Sequence, residues 1–191
     1  FEAINYGAKV AQTVGGDTVA LVLGTANADA INELGQYGAT KVLHANNAQF
    51  DQLSTKAYAN AIVEAANQVN ANVIITSYDI TGKAVSGYVA AKMKAGLVSG
   101  AVDYPTADFT VKKTVFSGKA FANVTITSDK KVVSIVPNSF GITKNGGAAA
   151  VEAFAPTTAN ATTVKEVNKV TGTVPLGDAE LVVSGGRGLK G

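Results

Sequence analysis

Cysteine is absent from this 191-residue chain, and histidine and arginine each occur once, as His44 and Arg187. The absence of cysteine excludes disulfide bonds, thiol nucleophiles and cysteine-based zinc sites. No apolar run approaches the roughly 18 residues that a membrane-spanning helix needs. The sequence also shows no signal-peptide pattern. These absences fit a reducing compartment, and we expect a location in a bacterial cytoplasm.

Charge is also sparse. Only 16% of the residues are charged and the formal net charge is +2, with adjacent lysines only at Lys112–Lys113 and Lys130–Lys131. Because no basic stripe with interleaved aromatic residues is formed, the sequence argues against nucleic-acid binding. The chain is 47% hydrophobic, which is ample for a buried core and too apolar for a disordered protein.

Helical and strand patterns alternate from residue 1 to residue 96. Helical spacing of Phe1, Ile4, Ala8 and Ala11 predicts a first helix that ends at Gly15–Gly16. Apolar runs without alternation predict strands that are buried on both faces. The α-β-α-β-α-β-α order predicts an α/β fold of Rossmann type, a parallel sheet with helices on both faces and right-handed crossovers. The predicted strands are 18–23, 41–43 and 72–76, and the second helix is 28–37. A third helix after Ser54 turns Tyr58, Ile62, Ala65 and Val69 inward, and a fourth turns Val85, Val89 and Met93 inward.

The block from residue 97 to residue 170 has little helical periodicity. We expect it to extend the sheet with antiparallel strands, and 117–119 resembles a hairpin turn. Residues 1–175 are then one α/β domain, and 176–191 are a linker with the first strand, Leu181–Val183, and loop of a second domain. The predicted strands are 97–102, 109–116, 120–127, 131–136 and, with weaker patterns, 148–154 and 163–170.

The segment Ser184-Gly185-Gly186-Arg187-Gly188 directly follows that apolar run. Glycine lacks the Cβ that would block a ligand and adopts positive φ without strain. Successive backbone N–H groups can form an anion-binding nest, and the guanidinium adds a planar fork of donors with a permanent charge. These five residues are therefore the candidate binding residues, and the expected ligand is an anionic group.

Four stretches, in the correct order, resemble the α subunit of electron transfer flavoprotein. The most specific is Leu181–Leu189, which is similar to the family signature VVSGGRGL, and the resemblance covers nearly the whole chain. The other stretches are 20–24 followed by 34–42; 58–62 with 90–97; and 117–120 followed by 132–137 and Phe140.

This resemblance implies a heterodimer of α and β subunits that holds one FAD. Such a carrier takes electrons from flavin dehydrogenases, such as the acyl-CoA dehydrogenases of fatty acid oxidation, to a quinone reductase or another acceptor, and is not itself an enzyme. The α subunit has an N-terminal domain similar to nucleotide α-hydrolases and a separate FAD domain. By resemblance, Arg187 matches the flavin-site arginine, and Ser184, Gly185, Gly186 and Gly188 match the loop around it.

The sequence departs from the family pattern at three points. By this resemblance we expect the first strand of the family before Phe1 and its FAD domain after Gly191, and the 191 residues contain neither; Val136 stands where the family pattern has an arginine. We therefore expect a fragment that acts mainly as a scaffold, binds the β subunit and does not retain FAD by itself. The exposed faces of residues 97–155 are candidates for the β-subunit contact.

Two other functions compete with this interpretation. An adenine-nucleotide-binding domain of the universal-stress type needs a glycine-rich phosphate loop, which the sequence does not show. A small hydrolase needs a Ser-His-Asp or metal constellation, which is also absent. His44 and the segment Ser77–Asp79 follow predicted strands and are weaker site candidates, while Asp103 and Asp108 are too isolated to form a carboxylate pair.

Overall fold

The computed structural model describes residues 1–144, 146–168, 171–176 and 179–189. Short 3₁₀ helices at Leu34–Tyr37 and Ala48–Phe50 supplement the main elements. No described helix combines the length and the apolar character needed to cross a membrane. The main elements are helices α1 (Glu2–Val14), α2 (Ala28–Glu33), α3 (Thr55–Gln68) and α4 (Ile80–Met93), and strands β1 (Val19–Leu23), β2 (Lys41–Ala45), β3 (Val73–Ser77), β4 (Gly96–Ala101), β5 (Thr110–Val115), β6 (Ala120–Thr125), β7 (Lys131–Ile135) and β8 (Ala150–Ala153).

The strands form two sheets, which confirms the α/β class with parallel strands, helices and an antiparallel extension; the division into two sheets was not predicted. One sheet has the order β1-β2-β8 and is entirely parallel. The other has the order β3-β7-β4-β5-β6, in which the β3–β7 and β7–β4 pairs are parallel and the β4–β5 and β5–β6 pairs are antiparallel. Strands β7 and β8 come from the later block but pair in parallel, because each returns beside a strand of the first half.

Strand β7 is the centre of the larger sheet. Val132, Val133, Ser134 and Ile135 are almost completely buried. Val132 packs in a core with α3 and α4, whereas Val133 and Ile135 pack with α1 on the other face. A strand covered on both faces carries apolar residues at consecutive positions, as Val132 and Val133 do. The polar Ser134 is satisfied by a hydrogen bond to the Ser77 carbonyl.

Helix α1 forms where the helical spacing predicted it and ends before Gly15. Its buried residues are Asn5, Tyr6 and Val10, which the spacing of Phe1, Ile4, Ala8 and Ala11 did not identify. The Asn5 side chain donates to the carbonyl oxygens of Tyr37 and Thr143, at 3.2 and 2.9 Å. These bonds satisfy a buried amide and tie the rotation of α1 to two distant segments of the chain.

Helix α3 packs on two sides through small residues. Of the predicted stripe only Ala65 is fully buried, and Ser54 occupies the N-cap position without a capping hydrogen bond from its side chain. Ala57 and Ala61 face the core of the smaller sheet, while Ala59 and Ala66 face α4. Helix α4 agrees with the prediction, because Val85, Val89 and Met93 are all buried.

Two predicted strands do not form within the described residues. Residues 163–168 have no strand structure, and 169–170 lie outside the described residues. Leu181–Val183 also form no strand, and their side chains are exposed. A strand needs a hydrogen-bonded neighbour, and none of the described strands pairs with either segment.

Candidate functional site

The segment Ser184–Leu189 forms an exposed turn in which the Leu189 N–H donates to the Gly186 carbonyl at 3.0 Å. Gly185, Gly186 and Gly188 do not have the positive φ that the sequence analysis expected of glycines in this turn. A Cβ on Gly185 would lie 2.6 Å from Leu189 Cδ1, whereas one on Gly186 or Gly188 would meet nothing within 4 Å. The space beside Gly186 and Gly188 is thus open to close approach by a ligand.

Arg187 is exposed and lies within this turn. The ion pairs of the described residues are Lys41–Glu152 and Lys144–Glu33, and neither involves Arg187. The five predicted loop residues are consecutive positions of one turn, and among the described residues no side chain of the α/β body forms a hydrogen bond or ion pair with them. Such a turn can offer backbone N–H groups and a guanidinium to an anion.

The carboxyl edge of the smaller sheet is filled by the chain's own side chains. Asp51 accepts hydrogen bonds from Thr25 N and Thr25 Oγ1, at 2.7 and 2.9 Å. His44 Nε2 lies 3.0 Å from the Gly24 carbonyl oxygen. Gly24 has φ +92°, and a Cβ there would lie 2.8 Å from Asp51 Oδ1. Because a carboxylate occupies this edge, a phosphate group placed here would meet negative charge.

Asp51 and Thr25 were not identified from the sequence. They are 26 residues apart, and neither belongs to a motif. A glycine that directly follows a buried strand was the available signal, since it marks a sharp turn at the edge where βα loops gather.

The edge after β3 is also used for structure. Asp79 accepts the Gly82 N–H at 2.8 Å and caps α4. The Ser77 carbonyl accepts Ser134 Oγ at 3.1 Å, and Tyr78 N donates to the Ile135 carbonyl at 2.7 Å. These polar groups hold strand, turn and helix together. Because they are bonded within the fold, they do not form a phosphate-binding loop in the described part of this edge.

Aromatic rings pack in the core between α1 and the larger sheet, with Tyr6 fully buried and Tyr104 and Phe140 partly buried. Tyr6 stacks on Tyr104 with ring centroids 4.8 Å apart and meets Phe140 edge-on, also at 4.8 Å. The Tyr6 hydroxyl donates to the Asp103 carbonyl at 3.1 Å. Burial is the main cause that raises the pKa of Tyr6, and the negative charges that Tyr104 and Asp103 can carry raise it further. This tyrosine therefore stays neutral and acts as a packing residue.

Asp103 and Asp108 do not form a catalytic pair. Asp108 accepts hydrogen bonds from the hydroxyls of Thr106 and Thr110, which lower its pKa. Asp103 accepts the N–H of Tyr104 at 2.8 Å. No group of histidine and carboxylate side chains in the described part of the chain could hold a metal ion.

Comparison with known proteins gives a consistent result. A family model described as "Electron transfer flavoprotein domain" matches residues 1–169. Electron transfer flavoprotein subunit alpha of Bacillus subtilis is 29% identical over 100% of this chain and 60% of its own length. The subunits alpha of Syntrophomonas wolfei and Pseudomonas aeruginosa are 30% and 31% identical over 95% and 94% of this chain and 59% of their own lengths. The chain thus spans about 60% of the length of the curated relatives it matches.

Proposed function

Because the chain belongs to the electron transfer flavoprotein family, we propose that it is part of an α subunit that carries electrons through FAD. In this proposal the α/β body is a scaffold that binds the β subunit. The complete carrier accepts electrons from flavin dehydrogenases, such as acyl-CoA dehydrogenases, and passes them to a quinone reductase or another acceptor. It works as a carrier rather than as an enzyme, in a bacterial cytoplasm.

The observation that carries the proposal is the match over residues 1–169, together with the exposed arginine turn beyond it. Flavin supplies the redox chemistry, and its reduction adds negative charge to the ring. The open space beside Gly186 and Gly188 fits the approach of a large planar group. Arg187 would then face that charge with a cation that does not titrate, which stabilises the reduced state electrostatically.

The internal bonds at the two strand edges weigh against the universal-stress alternative. A nucleotide at the edge beside β1 would have to displace Asp51 from Thr25, and one beside β3 would compete with the cap of α4 by Asp79. Both losses would have to be offset by the binding energy of the nucleotide. The geometry therefore supports the flavin carrier better.

The experiment uses the full-length protein produced together with its β subunit. We expect a yellow heterodimer. The variant Arg187→Ala should lower either its flavin content or its flavin midpoint potential, because the cation that favours the reduced ring is lost. Arg187→Lys keeps the charge and should recover part of the potential, and Lys56→Ala, which changes an exposed cation on α3, should have no effect.

Two results would contradict the proposal. If Arg187→Ala kept the flavin content and midpoint potential of the unmodified protein, Arg187 would not stabilise the reduced flavin. A colourless protein that never takes up FAD but binds an adenine nucleotide would favour the universal-stress alternative.

A further inference from the structure

The hairpin formed by β5 and β6 has one packed face and one exposed face. Val111 and Val124 lie opposite each other on the packed face, where Val111 is completely buried. Phe121, Asn123 and Thr125 alternate with the packed positions on β6 and are exposed. The outer face of a half-buried strand is normally polar, so a phenylalanine there needs an explanation.

The exposed aromatic surface continues into the turn of the hairpin. Phe121 is 61% exposed and Phe116 is 80% exposed. Phe116 also has φ +51°, a left-handed conformation that bulky residues rarely adopt, and it is followed by Ser117 at +55° and Gly118 at +84°. The hairpin therefore presents two large apolar side chains to solvent.

The backbone of β6 offers a further binding feature, since β6 is an end strand whose neighbour is β5 in the described sheet. On β5, the Lys112 carbonyl accepts a hydrogen bond from the Val102 N–H, so the backbone N–H and C=O of Lys112 point toward β4 and away from β6. Asn123 lies opposite Lys112, and its N–H and C=O therefore point away from β5, toward the outside of the sheet. Such a row of outward groups is a template for another strand.

The charge within the hairpin itself, residues 110–125, has one sign, and Asp108 and Asp129 lie just outside it. Between residues 109 and 128 there are three lysines, Lys112, Lys113 and Lys119, and no aspartate or glutamate. Lys112 Nζ lies 4.3 Å from the centroid of the Phe121 ring, so cation and aromatic ring share one surface. A second copy of this hairpin would place lysine against lysine, whereas an acidic strand would meet opposite charge.

We propose that the β5–β6 hairpin is a docking site for an extended acidic segment of another protein, which adds to the edge of β6 as a new strand. Main-chain hydrogen bonds to β6 hold the segment, and its apolar side chains cover Phe121 and Phe116. Its carboxylates meet Lys112 and Lys119. A polypeptide fits better than a lipid surface because only a polypeptide pairs with the outward backbone groups. This docking goes beyond the proposed flavin function and does not require FAD.

The test measures binding of fluorescein-labelled peptides to the 191-residue chain by fluorescence anisotropy. In the first eight-residue peptide, glutamate and valine occupy every second position so that both lie on the same face of the strand, and threonine fills the other positions; the second peptide has lysine in place of glutamate. We expect the acidic peptide to bind at least about ten-fold more tightly, and less tightly as salt rises. Lys112→Glu should weaken it about five-fold, and Asn123→Pro, which removes an outward N–H, about ten-fold. Lys56→Glu is the matched control and should bind as the unmodified chain does.

Circular dichroism shows whether each variant folds, and Lys112→Glu tests the site even if Asn123→Pro does not fold. Equal binding of the two peptides, or undiminished binding by Lys112→Glu, would overturn the proposal. So would binding to vesicles of phosphatidylcholine and phosphatidylserine without binding to the acidic peptide. Concentration-dependent dimers that Asn123→Pro abolishes would show that a second copy is the occupant instead.

Discussion

Two glycine-containing turns follow apolar runs in this chain, and they differ in what fills them. At Gly24 the chain supplies Asp51 and His44, which bond to the turn from two later segments. At Gly186 the described surroundings leave open space, and the neighbouring Arg187 is exposed. A glycine after an apolar run can therefore serve close approach by the chain itself, as at Gly24, or leave open space, as at Gly186, and the run alone does not distinguish the two cases.

The difference separates stability from binding. Polar groups that are satisfied within the fold contribute to the free energy of unfolding, and their loss leaves unpaired partners. Groups that project into solvent contribute little to stability and can be used for binding. Substitutions at the Gly24 turn should thus affect folding, whereas substitutions at the arginine turn should leave folding unchanged.

The largest effect is expected from substitution of Gly24. Gly24→Ala places a Cβ 2.8 Å from Asp51 Oδ1 and 3.1 Å from the Phe50 carbonyl, at φ +92°. We expect it to lower the free energy of unfolding by about 2–3 kcal/mol, from left-handed strain and steric overlap together. Urea denaturation measures the change.

Gly186→Ala is the matched control, since its Cβ would meet nothing within 4 Å. Its unfolding midpoint should stay within experimental error of the unmodified chain. Equal destabilisation by the two substitutions would show that the arginine turn is packed as firmly as the Gly24 turn, and the contrast between the turns would be wrong.

A smaller effect is expected at Asp51. Asp51→Ala removes the acceptor of both Thr25 hydrogen bonds and should cost about 1 kcal/mol, because the site is exposed and water replaces part of the loss. Asp51→Asn keeps an oxygen that can accept both bonds and should recover most of the stability. Asp17→Ala, at an exposed aspartate just before β1, serves as the control. A loss in Asp17→Ala as large as that in Asp51→Ala would mean that general charge, not this contact, matters.

The sequence predicted those parts of the fold that depend on local pattern. Helix α4 was predicted with its buried face because Val85, Val89 and Met93 repeat at helical spacing. The rotation of α1 was not predicted, because it depends on the buried amide of Asn5, whose partner Thr143 lies 138 residues away. The division into two sheets was likewise set by long-range pairing of β7 and β8.

The candidate site shows the same limit. Composition singled out Arg187, because it is the only arginine in the chain. Asp51 was missed since nothing local distinguishes it from other exposed aspartates. The assignment of residues 176–191 to the start of a second domain stays a prediction, and so does the role of the five turn residues.

The smallest effect concerns the ion pair between Lys144 and Glu33. A hydrogen bond from Lys144, followed by its charge and by a hydrogen bond from Tyr37, lowers the pKa of Glu33. A carboxyl group whose pKa is lower in the folded state stabilises the fold above its unfolded pKa, and this contribution is lost as the pH falls through the folded pKa. Lys144→Gln should therefore raise the pKa of Glu33 toward its ordinary value, as followed by NMR titration of the side-chain carboxyl carbon. Arg187→Gln should leave that titration unchanged, because the turn around Arg187 takes no part in this ion pair. A shift of Glu33 in the Arg187 variant would place the arginine turn against the α/β body.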